Sequence, residues 1–150
     1  MGCKIVTVDR QLTAVVKAKL PFAEIPQAQR SARATIAAGL PSLDTGALGL
    51  TCTRWLPPEG GALAMEMGTI VSRPIAARGE IVPSELPAGR AVHSVMVGPF
   101  DGMGAAWQAL FEWCQAEKLK LAGINWEVYG ATPSDPAKQE TYLYALLAAN

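Results

Sequence analysis

A glutamate and a tyrosine two residues apart have the greatest chemical potential in this 150-residue chain. They belong to the run Asn125-Trp126-Glu127-Val128-Tyr129, where extended backbone places Asn125, Glu127 and Tyr129 on one face. We expect the opposite face, with Trp126 and Val128, to pack against a helix. A carboxylate beside a phenol could neutralise a lipophilic cation. In apolar surroundings it could also exchange a proton near neutral pH, because burial disfavours its charged form.

Aromatic rings are candidates to surround this carboxylate. Tyr142 and Tyr144 share one face of the final predicted strand, and Trp55 lies near the end of the matching strand in the first half. Rings supply apolar contact and a cation–π attraction of about 0.5–2 kcal/mol for each good contact. The alternative is structural, since strand glutamates are mostly solvated and strand tyrosines mostly serve packing.

The sequence offers little to a metal ion or a common cofactor. Its three cysteines, Cys3, Cys52 and Cys114, form no CxxC pair, and the single histidine, His93, has no neighbouring ligand set. Phosphate-loop and dinucleotide fingerprints are missing as well. We therefore predict no metal site, no disulfide framework and no cofactor.

Composition narrows the classes of partner. Half of the residues are hydrophobic and 17% are charged, and 13 basic residues balance 13 acidic ones. A neutral chain builds no basic field for phosphate backbones, so direct nucleic-acid binding is disfavoured. No apolar run has the length of a membrane span, and acidic and basic residues follow the N-terminus too soon for a signal peptide. We predict a cytoplasmic protein that does not contact a membrane.

The elements that must position these residues occur twice along the chain. Each half contains an extended segment, a helix and a hairpin, over about 4–77 and about 89–148. The stretch 78–90, rich in Pro and Gly, is predicted to connect the halves. On the second helix, Trp107 belongs to an apolar stripe that faces the core or, as the second possibility, lines a pocket. The sequence thus predicts one α+β domain over 1–150, with two β-α-β-β halves about a pseudo-twofold axis and a ligand cleft between them.

Several motifs in this order resemble the GyrI-like (gyrase-inhibitor-like) family. They are Gly89-Arg90-Ala91, VMVGPF at 95–100, NWEVYGATP at 125–133 and TYLYALL at 141–147. The family comprises effector-binding domains of bacterial multidrug-responsive transcription regulators and their stand-alone relatives. The resemblance covers the whole chain and implies a duplicated β-α-β-β (SHS2-type) fold. It also implies a central cleft for lipophilic, often cationic, compounds, in which the glutamate of an E-x-Y strand lies; Glu127 and Tyr129 match that pattern.

Three places depart from the family pattern. Phe100 replaces the usual tyrosine after Gly-Pro, Tyr142 stands where an acid is common, and Ala145-Leu146 stands where a hydrophobic residue and a proline are common. These changes predict a more apolar cleft and leave a strong preference for cations open. The predicted ligand site consists of the carboxylate and the rings around it: Glu127, Tyr129, Trp55, Phe100, Trp107, Tyr142 and Tyr144.

Three functions remain open at this point. The first is a stand-alone protein that binds or sequesters an aromatic small molecule, cationic or neutral, with Glu127 as the counter-charge. The second is a hydrolase with Glu127 as acid or base and Tyr129 as its helper, since the resemblance implies that some stand-alone members hydrolyse cyclopropane-bearing toxins. The third is a protein-interaction module that protects gyrase or serves a regulator. We rank them in this order and leave open whether the protein is an enzyme.

Overall fold

Eight strands form one antiparallel sheet, and two helices pack on it. The computed structural model describes residues 2–131 and 133–149. In chain order the elements are β1 (Lys4–Val8), β2 (Gln11–Leu20), α1 (Ile25–Gly39), β3 (Leu48–Glu59), β4 (Ala62–Val71), β5 (Ile81–Leu86), β6 (Gly89–Val97), α2 (Met103–Ala116), β7 (Leu121–Tyr129) and β8 (Glu140–Leu147). The strands lie side by side in the order β1-β6-β8-β7-β3-β4-β2-β5. A short 3-10 turn, at 22–24 and again at 100–102, leads into each helix.

The predicted α+β class and the repetition of the halves are confirmed, but each half has one more strand than predicted. The first half is β1-β2-α1-β3-β4 and the second is β5-β6-α2-β7-β8. The segment after Lys4, predicted as one extended stretch, divides at Asp9-Arg10. It must divide because β1 and β2 lie near opposite edges of the sheet.

The stretch 78–90 is not a simple connector, because it contains β5. Among the strands of the described residues, β5 pairs with β2 at the edge of the sheet. An edge strand tolerates Pro83. Proline has no N–H to donate, and the outer side of an edge strand has no neighbouring strand that would need one. Ile81 and Leu86 are each 2% exposed, so the ends of β5 are anchored in the core.

The two halves exchange their first strands. β1 of the first half pairs with β6 of the second, and β5 of the second half pairs with β2 of the first. At the centre, β3 and β7 pair from Cys52↔Val128 to Trp55↔Asn125. Neither half therefore completes its part of the sheet alone.

Both helices lie on one face of the sheet, which we call the helical face. Ala106, Leu110 and Cys114 of α2 pack on strands β6 and β8, where Val92 and Leu143 are fully buried. On the other side of the centre, Ile36 of α1 packs against β2, β4 and β5 through residues Ala14, Val71 and Ile81. Between these two apolar clusters the helical face over β3 and β7 is left open.

The opposite face has its own apolar cluster, built around Cys52 and Trp126. Val8 of one edge strand and Leu86 of the other both belong to it. The sheet must therefore curve so that its two edges approach each other on this side. Glu66 is also buried on this face, 3.1 Å from Arg54 and 3.7 Å from Lys17, and accepts a hydrogen bond from Ser84.

Gly68 of β4 provides a test of this packing. A Cβ atom there would lie 2.8 Å from the Cα atom of Val15 in β2, so the backbones would have to move apart. We expect Gly68→Ala to lower the free energy of unfolding by about 3 kcal/mol in urea denaturation. Gly104 is the matched control, since nothing lies within 4 Å of a Cβ there. Gly104→Ala should raise stability by up to about 1 kcal/mol, and equal effects of the two changes would contradict the packing described.

Candidate functional site

A cavity of about 900 Å³ lies between the two helices, over the central strands β3 and β7. Its floor includes Thr51, Trp55, Asn125, Glu127 and Tyr129. Helix α1 supplies one wall and α2 the other, and exposed Phe22 and Phe100 stand at the two helix starts. Clefts of this size and apolar character typically hold drug-sized ligands.

The two walls use equivalent positions of the repeat. Ile25, Pro26, Gln29 and Arg33 of α1 and Met103, Gly104, Trp107 and Phe111 of α2 line the cavity. A constant offset of 78 residues (103 minus 25) relates these residues pairwise, and it also relates Phe22 to Phe100. Positions i, i+1, i+4 and i+8 lie on one side of a helix. The duplication thus turns the same side of each helix toward the cavity.

The carboxylate of Glu127 lies at the bottom of the cavity and is 5% exposed. Its Oε2 accepts a hydrogen bond from Trp107 Nε1 at 2.6 Å, and its Oε1 accepts one from the Tyr129 hydroxyl at 2.7 Å. The Tyr129 hydroxyl lies 2.8 Å from Oγ1 of the fully buried Thr53. Strands β3 and β7 and helix α2 therefore converge on one side chain.

The donors around Glu127 all point toward it. An indole N–H cannot accept a hydrogen bond, so Oε2 can only be an acceptor of Trp107. With its one proton given to Glu127, the Tyr129 hydroxyl accepts the proton of Thr53. A proton on Glu127 would therefore lie on Oε1 and would reverse the direction of the Tyr129 and Thr53 hydrogen bonds.

Burial raises the pKa of Glu127 above its ordinary value of 4.5, and hydrogen bonds from Trp107, Tyr129 and Trp55 oppose the shift only in part. Burial also raises the pKa of Tyr129 well above its ordinary value, and the nearby Glu127 charge adds to this effect. The phenol thus remains protonated and available as a donor, while Glu127 can change its charge closer to neutrality than a solvated glutamate.

Aromatic rings cover this carboxylate. Trp107 stacks on Phe111 with ring centroids 5.5 Å apart. The ring of Phe100 meets that of Tyr129 edge-on at 5.7 Å. Within the described part of the chain, Glu127 forms no ion pair. A buried acid without a counter-charge beneath rings can accept a cation or a hydrogen-bond donor from a ligand.

Five of the seven predicted site residues line this cavity, and two do not. Glu127, Tyr129, Trp55, Phe100 and Trp107 come together there. Tyr142 and Tyr144 lie on the opposite face of the sheet, and their inclusion in the cleft was wrong. The physical reason is the register of β8, which pairs Tyr142 with Val128 and Tyr144 with Trp126.

The expected contact between a helix and Trp126 or Val128 is also wrong. Trp126 stacks on Tyr144 with ring centroids 5.2 Å apart, and Tyr144 in turn stacks on His93 at 4.5 Å. These three stacked rings lie on the opposite face of the sheet. Helix α2 instead packs on the side of Glu127, whose partner in β8 is Leu143.

Sequence reasoning missed the α1 wall and its two polar residues, Gln29 and Arg33. A signal was present: Pro21-Phe22 and Pro99-Phe100 introduce the two helices in the same way. Counting onward from these dipeptides would have matched Gln29 with Trp107 and Arg33 with Phe111. Thr53 was missed as well, because only the pairing of β3 with β7 brings it opposite Glu127.

Metal-binding clusters and membrane-spanning helices are both missing from the described residues. Among residues 2–131 and 133–149, no group of three or more His, Cys, Asp or Glu side chains could hold a metal ion. Neither described helix has the length and apolar character of a membrane span.

Solved structures share this fold at low sequence identity. The C-terminal domain of EcmrR superimposes with a TM-score of 0.79 at 16% identity, over 98% of this chain and 97% of that one. SAV2435 bound to tetraphenylphosphonium gives 0.75 at 11% identity, over 99% and 94% of the chains. A hydrolase from Listeria innocua gives 0.57 at 14% identity, over 97% and 91%.

Sequence comparison identifies the family. None of the curated protein sequences matches this chain significantly. The family model described as "GyrI-like small molecule binding domain" matches residues 1–145. The match spans both halves, the two helix walls and the floor of the cavity. The chain therefore belongs to the GyrI-like family of small-molecule-binding domains.

Proposed function

We propose that this protein binds a lipophilic, aromatic cation in the cleft between its two helices, with Glu127 as the counter-charge. The observation that carries the proposal is the buried carboxylate at the bottom of an apolar cavity, with hydrogen bonds to Trp107 and Tyr129 and without an ion pair among the described residues. In the cell, such binding would serve effector sensing or sequestration.

The energetics favour a cation over a neutral ligand. Burial opposes the charged form of Glu127, so a positive charge placed beside it offsets the cost of ionising this side chain. Attraction between the charges is stronger where bulk water is excluded than at an exposed surface. The faces of Trp107 and Phe111 add cation–π attraction and apolar contact.

The comparison with SAV2435 supports the same ligand class. That protein was solved with tetraphenylphosphonium, a cation whose charge is shielded by four phenyl rings, and its fold covers 99% of this chain. Tetraphenylphosphonium cannot donate a hydrogen bond, so its recognition depends on charge and ring contact. It is therefore a suitable first ligand with which to test the role of Glu127.

Replacing Glu127 with glutamine removes the negative charge and keeps the size and shape of the side chain, so it tests the effect of the charge on ligand affinity. In Glu127→Gln the side-chain oxygen can accept from Trp107 while the amide donates to Tyr129, as in the protonated acid. We expect this variant to fold and to lose at least about tenfold in affinity for tetraphenylphosphonium, measured by isothermal titration calorimetry. Glu112→Gln removes an exposed charge from α2 and should leave the affinity unchanged. If Glu127→Gln binds as tightly as the parent protein, the carboxylate has no part in recognition.

The pH dependence should run in opposite directions for binding and for stability. The ligand needs the charged form of Glu127, so affinity should fall as pH is lowered through the raised pKa of this group. The neutral form is the one that the fold prefers. Its contribution to the free energy of unfolding is complete below pH 4.5 and is lost as pH rises through the raised pKa. Titrations and thermal melts across this range should show both trends in the parent and neither in Glu127→Gln.

A hydrolase is the second candidate, because the raised pKa lets Glu127 hold a proton beside the Tyr129 phenol within an apolar cavity. A structure from Listeria innocua with the same fold is described as a hydrolase. In a three-membered carbon ring, Glu127 would protonate one carbon as the ring bond breaks. Water would add its hydroxyl to the other carbon and return its proton to Glu127.

Turnover and binding can be told apart with a panel of electrophilic strained-ring compounds followed by mass spectrometry. A hydrolase should yield products that are heavier by one water, and Glu127→Gln should abolish them while still binding the substrate. A panel that binds without any product would leave binding as the function and eliminate this candidate.

A further inference from the structure

The two helix walls of the cavity are equivalent in position but differ in chemistry at two pairs of equivalent positions. The α2 wall is apolar and aromatic, with Met103, Trp107 and Phe111. At the positions equivalent to Trp107 and Phe111, the α1 wall presents the amide of Gln29 and the guanidinium of Arg33. At these two positions, therefore, aromatic rings on one wall face hydrogen-bond donors on the other.

The guanidinium of Arg33 has no structural task in the described chain. It forms neither a hydrogen bond nor an ion pair with residues 2–131 or 133–149, and it is exposed on α1. Its charge nevertheless reaches the floor of the cavity, where it lowers the pKa of the buried Tyr129 phenol against the stronger effect of burial. Arg33 thus lines the cleft, and its positive charge acts on a group at the cavity floor.

Arg33 and Glu127 line the same cavity without neutralising each other. Among the described residues they form no ion pair with each other, and Arg33 lies on the α1 wall whereas Glu127 lies on the floor. A purely cationic ligand would satisfy Glu127 but would bring its charge toward Arg33. A ligand with charges of both signs would satisfy both residues, since a guanidinium binds a carboxylate through two parallel hydrogen bonds.

We propose that the preferred ligand is an aromatic zwitterion, with its cationic end at Glu127 and a carboxylate bound by Arg33. Gln29, one helical turn before Arg33, lies close enough along the wall to donate a further hydrogen bond from its amide. The aromatic body would lie against Trp107 and Phe111 on the other wall. This inference rests on the proposed function, because it extends the same cleft and the same role of Glu127.

Rhodamine B and its ethyl ester form a matched pair of ligands for the test. Both carry the same delocalised cation on the same rings, and only the free acid adds a carboxylate at neutral pH. The variant Arg33→Gln removes the proposed partner of that carboxylate. Arg30→Gln is the matched control, since Arg30 is exposed on the same helix but does not line the cavity.

We expect Arg33→Gln to weaken binding of rhodamine B by about fivefold, measured by fluorescence anisotropy of the dye. The same variant should bind the ethyl ester as tightly as the parent or more tightly, because a repulsive charge is gone. Arg30→Gln should change neither affinity, and all three proteins should melt at the same temperature.

The outcomes separate this inference from the proposed function. Suppose that the parent binds the ester, but Arg33→Gln lowers the affinity for rhodamine B no more than Arg30→Gln does. Arg33 then does not bind the carboxylate, and the inference fails while the proposed function stands. The inference also fails alone if the parent binds the ester and rejects the acid. If the parent binds neither dye nor tetraphenylphosphonium, the proposed function and the inference fail together.

Discussion

One buried carboxylate organises the centre of this molecule. Glu127 is withdrawn from water, and the cost is offset by donors from three different elements: Trp107 on α2, Tyr129 on β7 and Trp55 on β3. Because the indole N–H can only donate, Oε2 of Glu127 is always the acceptor of Trp107, whereas the hydrogen bonds of Tyr129 and Thr53 change direction with the protonation of Oε1. The packing of α2 on the sheet and the pairing of β3 with β7 bring these donors to the carboxylate. Among the described residues, no positively charged side chain forms an ion pair with Glu127.

Duplication explains how such a site arises from an ordinary sheet. Each copy of the repeated unit turns the same side of its helix toward the cavity. The shape of the cleft therefore follows from the repetition. Its chemistry comes from the divergence of the two copies. Equivalent positions hold Trp107 and Gln29, or Phe111 and Arg33, and of the two central strands β7 contributes the acid that lines the cavity. A symmetric scaffold thereby acquires distinct ends, which orient an asymmetric ligand.

Alternation along a single strand was enough to predict that Glu127 and Tyr129 share a face, and the element order was enough for the α+β class. Register between strands cannot be derived from alternation. A shift of one residue moves a whole strand to the other face, and this is how Tyr142 and Tyr144 were misplaced. The edge strand β5 was hidden by Pro83 and the neighbouring glycines, because turn residues outweigh a short apolar pattern. The α1 wall was missed for a different reason. Helix α1, from Ile25 to Gly39, has many small residues and few large apolar ones, so its sequence shows no clear apolar stripe.

The exchange of β1 and β5 governs when the sheet can close. Lys4 pairs with His93, so β1 has no neighbour until β6 has been synthesised, and β2 has an uncovered edge until β5 follows. A nascent first half on the ribosome therefore presents unpaired backbone donors and acceptors, which are templates for association with other chains. Long-range pairing of this kind also slows folding, since chain entropy is lost before the contacts form. The exchange of first strands thus delays closure of the sheet until the second half of the chain has been synthesised.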